Sequence, residues 1–249
     1  MAGKAIHGLN AVREALRTGH GVNRVYFAKE SRAHGAAELI AEVRAARIPF
    51  DFVPQAKLNE LADTREHQGV VALVSPKDYT PLEDCLAQCT PKAILLVLDQ
   101  VQHPKNLGML VRTAAGAGAS GVLLTARGGA LLDDTVLRAS AGMIFRVPIV
   151  LCANLAQTLR ALTAAGFWVY GLDAEGPENV FTLPWADRCA LVVGNESEGL
   201  RPTVRKACDA LVRIPLAAGA DSLNVSVAAG IAMFQVAAAH EKAASRREP

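Results

Sequence analysis

The amino-acid sequence predicts an α/β protein of two domains, the second of which carries a parallel β-sheet. Apolar segments of strand length alternate with helical segments along most of the 249 residues, a pattern typical of sheets covered by helices. The alternation stops once, over residues 76–92, where prolines recur. Because the length is comfortable for two domains, we predict a small α/β domain over 1–75, a linker over 76–92 and a larger domain over 93–249.

The first domain shows short helix and strand signals in alternation. Leu9, Val12 and Leu16 share one helical face, and Gly19 follows them as a helix stop. The later elements are predicted as strand 22–28, helix 36–47, strand 48–53, helix 56–62 and strand 70–74.

Longer and more apolar strands mark the second domain. They are predicted at 93–99, 121–125, 146–151, 167–173, 189–194 and 210–216, with helical segments between most of them. Buried strands of this kind favour a parallel sheet with both faces covered. Ligands of such sheets bind at the carboxyl ends of the strands, so we expect the chemistry in the loops after residues 99, 125, 194 and 216.

Composition bounds the partners and the environment. Apolar residues make up 51% of the chain, and the formal charge of +2 gives little indication of nucleic acid. The five cysteines include no C-x-x-C pair and indicate reduced thiols; Cys85 and Cys89 lack a second ligand pair for zinc. The start has no apolar targeting core, and the apolar stretch 225–239 is too short to span a bilayer. We expect a cytoplasmic protein without membrane or metal partners.

One motif imitates a dinucleotide-binding fingerprint. Gly116, Gly118 and Gly121 match G-x-G-x-x-G, but they follow a predicted helix and precede a strand, whereas a true fingerprint follows a strand and opens a helix. We interpret them as a helix end and a tight turn. A nicotinamide-dependent enzyme therefore loses its best support.

Two polar segments follow predicted strands. In the first, over 98–114, Asn106 lies near a helix start, as an N-cap would. Arg112 lies farther along that mainly apolar helix and needs an anionic partner or a phosphate. The second, over 191–200, runs from an apolar strand into a loop that contains Gly194, where a ligand can approach the backbone. A polar turn with a solvated Glu198 is the alternative.

A third segment, over 214–231, leads from a strand through a loop of small residues into an apolar helix. Ser222, Leu223 and Asn224 open this helix. Alone, they are explained by a helix cap. A helix N-terminus also offers unpaired N–H groups to an anionic ligand group.

Together and in this order, the three segments resemble the SpoU (TrmH-type) branch of the SPOUT RNA methyltransferases, over roughly residues 93–239. The stretches 139–142 and 147–148 also look familial. The N-terminal part, from 7–12 to 67–70, is similar to the substrate-binding domain that precedes the catalytic domain in this family and has a fold like ribosomal protein L30e. The two-domain arrangement is most similar to the family members that methylate a guanosine ribose in 23S rRNA.

The resemblance implies a deep trefoil knot in the second domain, with S-adenosylmethionine bound in it mainly by backbone groups. Transferred by position, the cofactor-binding residues are Thr125, Leu172, Gly194, Ile214 and Leu223.

It also implies in-line transfer of a methyl group from a sulfonium to a ribose 2′-hydroxyl, without a metal or a covalent intermediate. Arg112 matches the family's catalytic arginine, and because a guanidinium stays protonated, we assign it stabilisation of an alkoxide or phosphate. Asn106 and Glu196 are expected to orient Arg112 and the RNA backbone. Ser222 and Asn224 are expected to shape the helix start beside the cofactor.

The chain departs from the family pattern at His103, where an acidic residue or Asn is usual, and at Ser197, where Gly is frequent. These enzymes are typically homodimers with a site built in part at the interface, and the apolar 225–239 helix is consistent with that. The expected partner is large-subunit rRNA. The alternatives are tRNA or another rRNA position, and a non-catalytic RNA-binding or assembly factor, against which the intact set of catalytic positions argues.

Overall fold

The chain folds into two compact units. A computed structural model groups Met1–Asp78 with Leu132–Arg146 in the first unit, and Tyr79–Leu131 with Val147–Pro249 in the second. The segment 132–146, predicted as part of the second domain, therefore belongs with the first. Pro76 of the predicted linker and residues 219–221 of the third polar segment lie outside the described residues. The structure describes residues 4–19, 21–29, 35–75, 77–218 and 222–245.

Strands and helices alternate along the chain, as predicted. The elements in chain order are β1 (Lys4–His7), α1 (Leu9–Arg17), β2 (Val22–Ala28), α2 (Ala36–Ala45), β3 (Phe50–Val53), α3 (Gln55–Ala62), β4 (Val70–Val74), α4 (Leu82–Ala87), β5 (Ala93–Leu98), α5 (Pro104–Gly116), β6 (Gly121–Thr125), α6 (Asp134–Ala139), a 3-10 turn (Met143–Phe145), β7 (Ile149–Cys152), α7 (Leu155–Ala164), β8 (Trp168–Leu172), β9 (Glu178–Asn179), β10 (Arg188–Val193), α8 (Pro202–Arg205), β11 (Ala210–Arg213) and α9 (Val225–Ser245).

The first unit is built on a four-stranded mixed sheet in the order β1-β4-β2-β3. β4 runs antiparallel to β1 and β2, and β2 runs parallel to β3. The two N-terminal stretches that resemble the family meet in this unit, because Leu9 N donates to Gln68 Oε1 (3.1 Å) and Gly8 N donates to Val70 O (3.2 Å).

The segment Leu132–Arg146 is seated against α1. Gly142 has a φ of +80°, and a Cβ at this position would lie 2.9 Å from the carbonyl oxygen of Ala11, so only glycine fits. Arg146 Nε forms an ion pair with the nearly buried Glu14. Close backbone packing and this ion pair explain why the segment groups with the first unit although it is far from it in sequence.

The second unit contains the predicted parallel sheet, with seven strands in the order β7-β6-β5-β10-β8-β11-β9. Every pair of neighbours is parallel. All six residues of β5 are buried, which agrees with a strand covered on both faces. Since Leu98 pairs with Val193 in the centre of the sheet, the loops after β5 and β10 leave the same edge side by side.

Several details of the prediction are corrected. α5 begins at Pro104 rather than near Asn106, because proline suits the first helical position. The strand predicted at 146–151 begins at Ile149, after the 3-10 turn. The glycine motif ends α5 and precedes β6, as interpreted, with Gly118 at a φ of +73°. The trefoil knot stays a prediction. Within the described ranges, no helix combines the length and the hydropathy of a membrane span.

Candidate active site

The three polar segments converge at the carboxyl edge of β5 and β10. Glu196, in the loop after β10, accepts hydrogen bonds from Gln102 N (3.1 Å), His103 N (3.2 Å) and Asn106 Nδ2 (3.0 Å). The carboxylate thus lies against the N-terminal turn of α5, where the helix dipole favours a negative charge. His103, one of the two departures from the family pattern, is the N-cap residue of α5 and contributes only its backbone here.

Asn106 joins this loop to the third segment. It lies in the first turn of α5, 8% exposed, and is not the N-cap that the sequence suggested. Asn224 Nδ2 donates to Asn106 Oδ1 (3.2 Å), while Asn224 Oδ1 accepts from Ser226 N (2.9 Å) and caps α9. The capping interpretation of Asn224 is therefore correct, but the same side chain also completes a chain of hydrogen bonds from Glu196 through Asn106 to Asn224.

The hydrogen bonds fix the charge of Glu196. Burial alone would raise the pKa of its carboxyl, but the donors on Asn106, Gln102, His103 and its own backbone outweigh burial and lower the pKa below its usual value. The group is ionised at neutral pH and acts as an anchor for three N–H donors.

The loop from Gly194 to Gly199 is closely packed. Asn195 Nδ2 donates to Gln100 O (3.0 Å), and Asn195 Oδ1 accepts from Ser197 N (2.9 Å) and Glu198 N (3.1 Å). A Cβ at position 194 would lie 2.1 Å from the carbonyl carbon of Gly199. Ser197 and Glu198 are exposed. The loop is thus a polar turn, as the alternative held, and glycine at 194 is required for its closure.

This loop borders a cavity of about 560 Å³ at the ends of β8, β10 and β11. Four of the five predicted cofactor-binding residues line it, namely Leu172, Gly194, Ile214 and Leu223, together with Glu196 and Ser222. Among the described residues, the backbone groups of Gly194, Ile214 and Leu223 make no hydrogen bonds to other backbone groups outside the helices and strands. Backbone donors and acceptors are therefore available to a ligand.

The lining of this cavity is acidic. It contains four carboxylates, those of Asp173, Glu175, Glu196 and Glu198, and one guanidinium, that of Arg205. Arg205 Nε is paired with Asp173 Oδ2 at 2.7 Å. A cationic ligand is favoured by this balance of charge.

Thr125 and Arg112 lie apart from this cluster. Thr125 lines a different cavity, described below. Arg112 is exposed on the face of α5 that also carries Lys105 and Met109, and within the described part of the chain it has no hydrogen bond or ion pair. The expectation that Asn106 and Glu196 orient Arg112 is therefore not met within one chain.

The sequence did not indicate the ion pair between Asp99 and Arg201 at this edge. Asp99, fully buried after β5, accepts from Arg201 N (2.9 Å) and Arg201 Nε (2.7 Å). A buried carboxylate at a strand end requires such a partner, so the acidic residue was a usable signal. Its partner, 102 positions away, could not be identified from local pattern.

Of Cys85 and Cys89, weighed as a zinc pair, the first lies on α4 and the second follows the end of that helix. The Cys89 thiol donates to the Cys85 carbonyl (3.3 Å), and burial raises the pKa of Cys85 to about 11, so its thiolate is disfavoured. Over the described ranges, no three His, Cys, Asp or Glu side chains are grouped to hold a metal ion.

Two family models match the chain. Residues 93–234 match the SpoU rRNA methylase family, and residues 5–80 match the RNA 2′-O ribose methyltransferase substrate-binding domain. The first of these covers the seven-stranded sheet and the converging segments, and the second covers the four-stranded sheet.

Individual proteins agree with these models. A Staphylococcus aureus (strain MSSA476) protein assigned by its name to the TrmH family of tRNA/rRNA methyltransferases is 36% identical over 239 residues, 95% of this chain and 96% of the relative. An AdoMet-bound rRNA methyltransferase from Sinorhizobium meliloti has a TM-score of 0.77 at 29% identity, covering 94% of this chain and 87% of that one. The AviRb methyltransferase of Streptomyces viridochromogenes, with AdoMet bound, has a TM-score of 0.78 at 25% identity, covering 94% and 89%.

Proposed function

The chain belongs to the SpoU family of RNA methyltransferases, and we propose that it transfers a methyl group from S-adenosylmethionine to a guanosine ribose 2′-hydroxyl in large-subunit (23S) rRNA. The observation that carries the proposal is the hydrogen-bond chain Glu196–Asn106–Asn224 beside the acidic cavity. The match of residues 5–80 to an RNA ribose methyltransferase substrate-binding domain supports RNA as the substrate.

The acidic cavity fits S-adenosylmethionine in charge and in hydrogen bonding. The molecule carries a sulfonium and an ammonium against one carboxylate, so its net charge is positive, and four carboxylates line the cavity against one paired guanidinium. Gly194, Ile214 and Leu223 are the residues that would hold it through their backbones, and Leu172 lines the same cavity. When bound, this cofactor supplies a methyl group on a good leaving group.

The residues of the chain position the loops around the cofactor and stabilise the charge that develops on the ribose oxygen. Glu196 and Asn106 hold the loop after β10 against α5, and Asn224 holds the start of α9 against Asn106. Arg112 provides a permanent positive charge that stabilises the negative charge developing on the ribose oxygen as its proton leaves. Its exposure, without a partner among the described residues, leaves it available for RNA.

We also propose that the protein is a homodimer. Large apolar side chains are exposed on α5, on α9 and just before α9: Met109, Leu223, Val227 and Phe234. Exposed apolar surface of this kind marks an interface. α5 and α9 pack against each other, and Arg112 lies on the exposed face of α5 with Met109. In a dimer formed through this surface, Arg112 acts in the site of the partner, which explains why it meets neither Asn106 nor Glu196 in its own chain.

The substitution Arg112→Ala tests the mechanism. We expect turnover on unmodified 23S rRNA transcripts to fall on the order of 10²-fold, as for lost transition-state electrostatics, with the melting temperature and the S-adenosylmethionine affinity unchanged. Arg160→Ala, an exposed arginine on α7, is the matched control and should behave as wild type. Near-normal turnover of Arg112→Ala would refute the assigned role.

The substrate requires its own assay. Wild-type protein is given 23S rRNA or tRNA transcripts with labelled cofactor, and the methylated ribose is mapped. Methylation of tRNA alone would replace 23S rRNA as the substrate. RNA binding without calorimetric heat from S-adenosylmethionine would instead indicate a non-catalytic factor.

A further inference from the structure

A second cavity, of about 280 Å³, lies at the carboxyl edge of the same sheet. It is formed by the loops after β5, β6 and β7 and by the start of α8. Its lining contains two guanidinium groups, those of Arg127 and Arg201, and no carboxylate. The other residues that line it are Gln100, Thr125, Ala153, Asn154, Leu155, Ala156, Thr203 and Val204.

The two arginines are held differently. Arg201 is fixed by the buried Asp99 through bonds of 2.9 and 2.7 Å, and its side chain is still 37% exposed. Arg127 is exposed and has no ion pair within the described part of the chain. One guanidinium is therefore preorganised, and the second adds an uncompensated positive charge.

Hydrogen bonds fix the conformation of the loop that carries Arg127. Gln100 Nε2 donates to Arg127 O (3.4 Å), and Ala130 N donates to Val101 O (2.8 Å). Gln100 itself has a φ of +59°, a left-handed conformation unusual for a residue other than glycine. Strained backbone of this kind is concentrated at functional sites, where the surrounding structure maintains it.

Uncharged donors complete the lining. Thr125 is 6% exposed as a residue. Its hydroxyl accepts from Gln100 N (3.3 Å) and has no acceptor for its own hydrogen among the described residues. Asn154 caps α7, because its Oδ1 accepts from Gln157 N (3.1 Å). The N–H groups of Leu155 and Ala156, in the first turn of α7, donate to no loop or turn carbonyl of the described residues. A helix start of this kind favours an anion.

We propose that this second cavity binds a backbone phosphate of the substrate RNA close to the nucleotide that is methylated. The proposal rests on the proposed function. Two arginines, the buried Thr125 and the start of α7 line this cavity, and no acidic residue lines it. This donor set suits a phosphate, because Arg127 is left without an ion pair while Asp99 holds Arg201 in place. The cavity adjoins the acidic one, because Asn195 of the first bonds to Gln100 of the second (3.0 Å) and the neighbours Leu200 and Arg201 line one each.

The substitution Arg127→Ala tests this assignment, with Arg160→Ala as the matched control. We expect the KM for 23S rRNA transcripts to rise about tenfold, as for loss of one charge-assisted contact, with kcat and the S-adenosylmethionine affinity unchanged. The slope of log affinity for RNA against log salt should become shallower by about 0.7 to 1, as for one lost phosphate contact.

Two results would overturn the inference. The first is an Arg127→Ala protein with the KM and salt slope of Arg160→Ala. The second is binding of inorganic phosphate that Arg127→Ala abolishes while RNA binding stays unchanged, which would indicate a site for a free anion. A wild-type protein that transfers no methyl group would refute the proposed function instead, and the salt dependence of RNA binding would still report on the cavity.

Discussion

The two cavities of the sheet edge differ in charge although they share a wall. The sheet order places the ends of β10, β8 and β11 on one side and those of β5, β6 and β7 on the other. The first group of loops forms an acidic cavity and the second a basic one. The boundary passes between Leu200 and Arg201, adjacent residues of one loop.

This difference shows how one fold presents opposite charges to two ligands at close range. Parallel strands bring all their carboxyl ends to one edge, so the loops alone decide the local charge. A cationic methyl donor and an anionic RNA backbone require opposite linings. Buried pairing at Asp99 and Arg201 allows a carboxylate and a guanidinium to coexist at the boundary.

The largest effect is expected from a substitution that displaces the loop bordering the acidic cavity. In Gly194→Ala the new Cβ would lie 2.1 Å from backbone atoms of Gly199, so the loop must move. Overpacking of this kind costs about 1–3 kcal/mol of folding free energy. Because the displaced loop carries backbone groups that hold the cofactor, we expect the S-adenosylmethionine affinity to fall about 10- to 100-fold, measured by calorimetry. Gly116→Ala, where an added Cβ meets nothing within 4 Å, is the control. Unchanged affinity in Gly194→Ala would show that the cofactor does not use this loop.

An intermediate effect is expected from the boundary itself. Asp99→Asn keeps the size of the side chain but removes the charge that holds Arg201. We expect a loss of about 2 kcal/mol in the free energy of unfolding, measured with urea. The KM for RNA should rise by a larger factor than the KM for the cofactor. Asp173→Asn, which breaks the more exposed pair with Arg205, should cost less. Equal damage to both cavities would contradict their separate roles.

The sequence predicted the parallel sheet because its strands are buried on both faces and therefore wholly apolar, as β5 is. It missed β1 and β9, which have only four and two residues. Such short segments carry no periodicity that separates strand from loop. The strand bounds at Gly121–Thr125 and Val70–Val74 were predicted correctly because glycine or proline lies close to both ends of each segment in the sequence.

At the site, sequence order and family pattern placed four of five cofactor positions around one cavity. Thr125 differs because it ends β6, which lies on the basic side of the sheet edge. Strand order is set by pairing across the fold and cannot be read from local pattern. The same holds for the partnership of Asp99 with Arg201 and for the packing of residues 132–146 on α1.

The smallest effect is expected from removal of the charge of Glu196. This test distinguishes a carboxylate that holds N–H donors from one that only adds negative charge to the cavity lining. Because its pKa is lowered in the folded protein, the ionised carboxylate contributes stability above the unfolded pKa of about 4.3. That stability is lost as the pH falls through the folded value. We expect Glu196→Gln to be less stable than wild type at pH 7, and the difference in urea unfolding free energy to shrink as the pH falls below about 4.

The exposed Glu198 of the same loop provides the matched control. Its carboxylate accepts no hydrogen bond from a described residue, and only its backbone N–H is engaged, by Asn195. Because no N–H donor is lost, we expect Glu198→Gln to have an unfolding free energy at pH 7 close to that of wild type, while both substitutions remove one negative charge from the cavity. If Glu198→Gln lost as much stability at pH 7 as Glu196→Gln, the N–H donors of Gln102, His103 and Asn106 would not be what stabilises the Glu196 carboxylate. Glu196 would then contribute to the acidic cavity only as one carboxylate among four. Its hydrogen bonds would not be what holds the loop after β10 against α5.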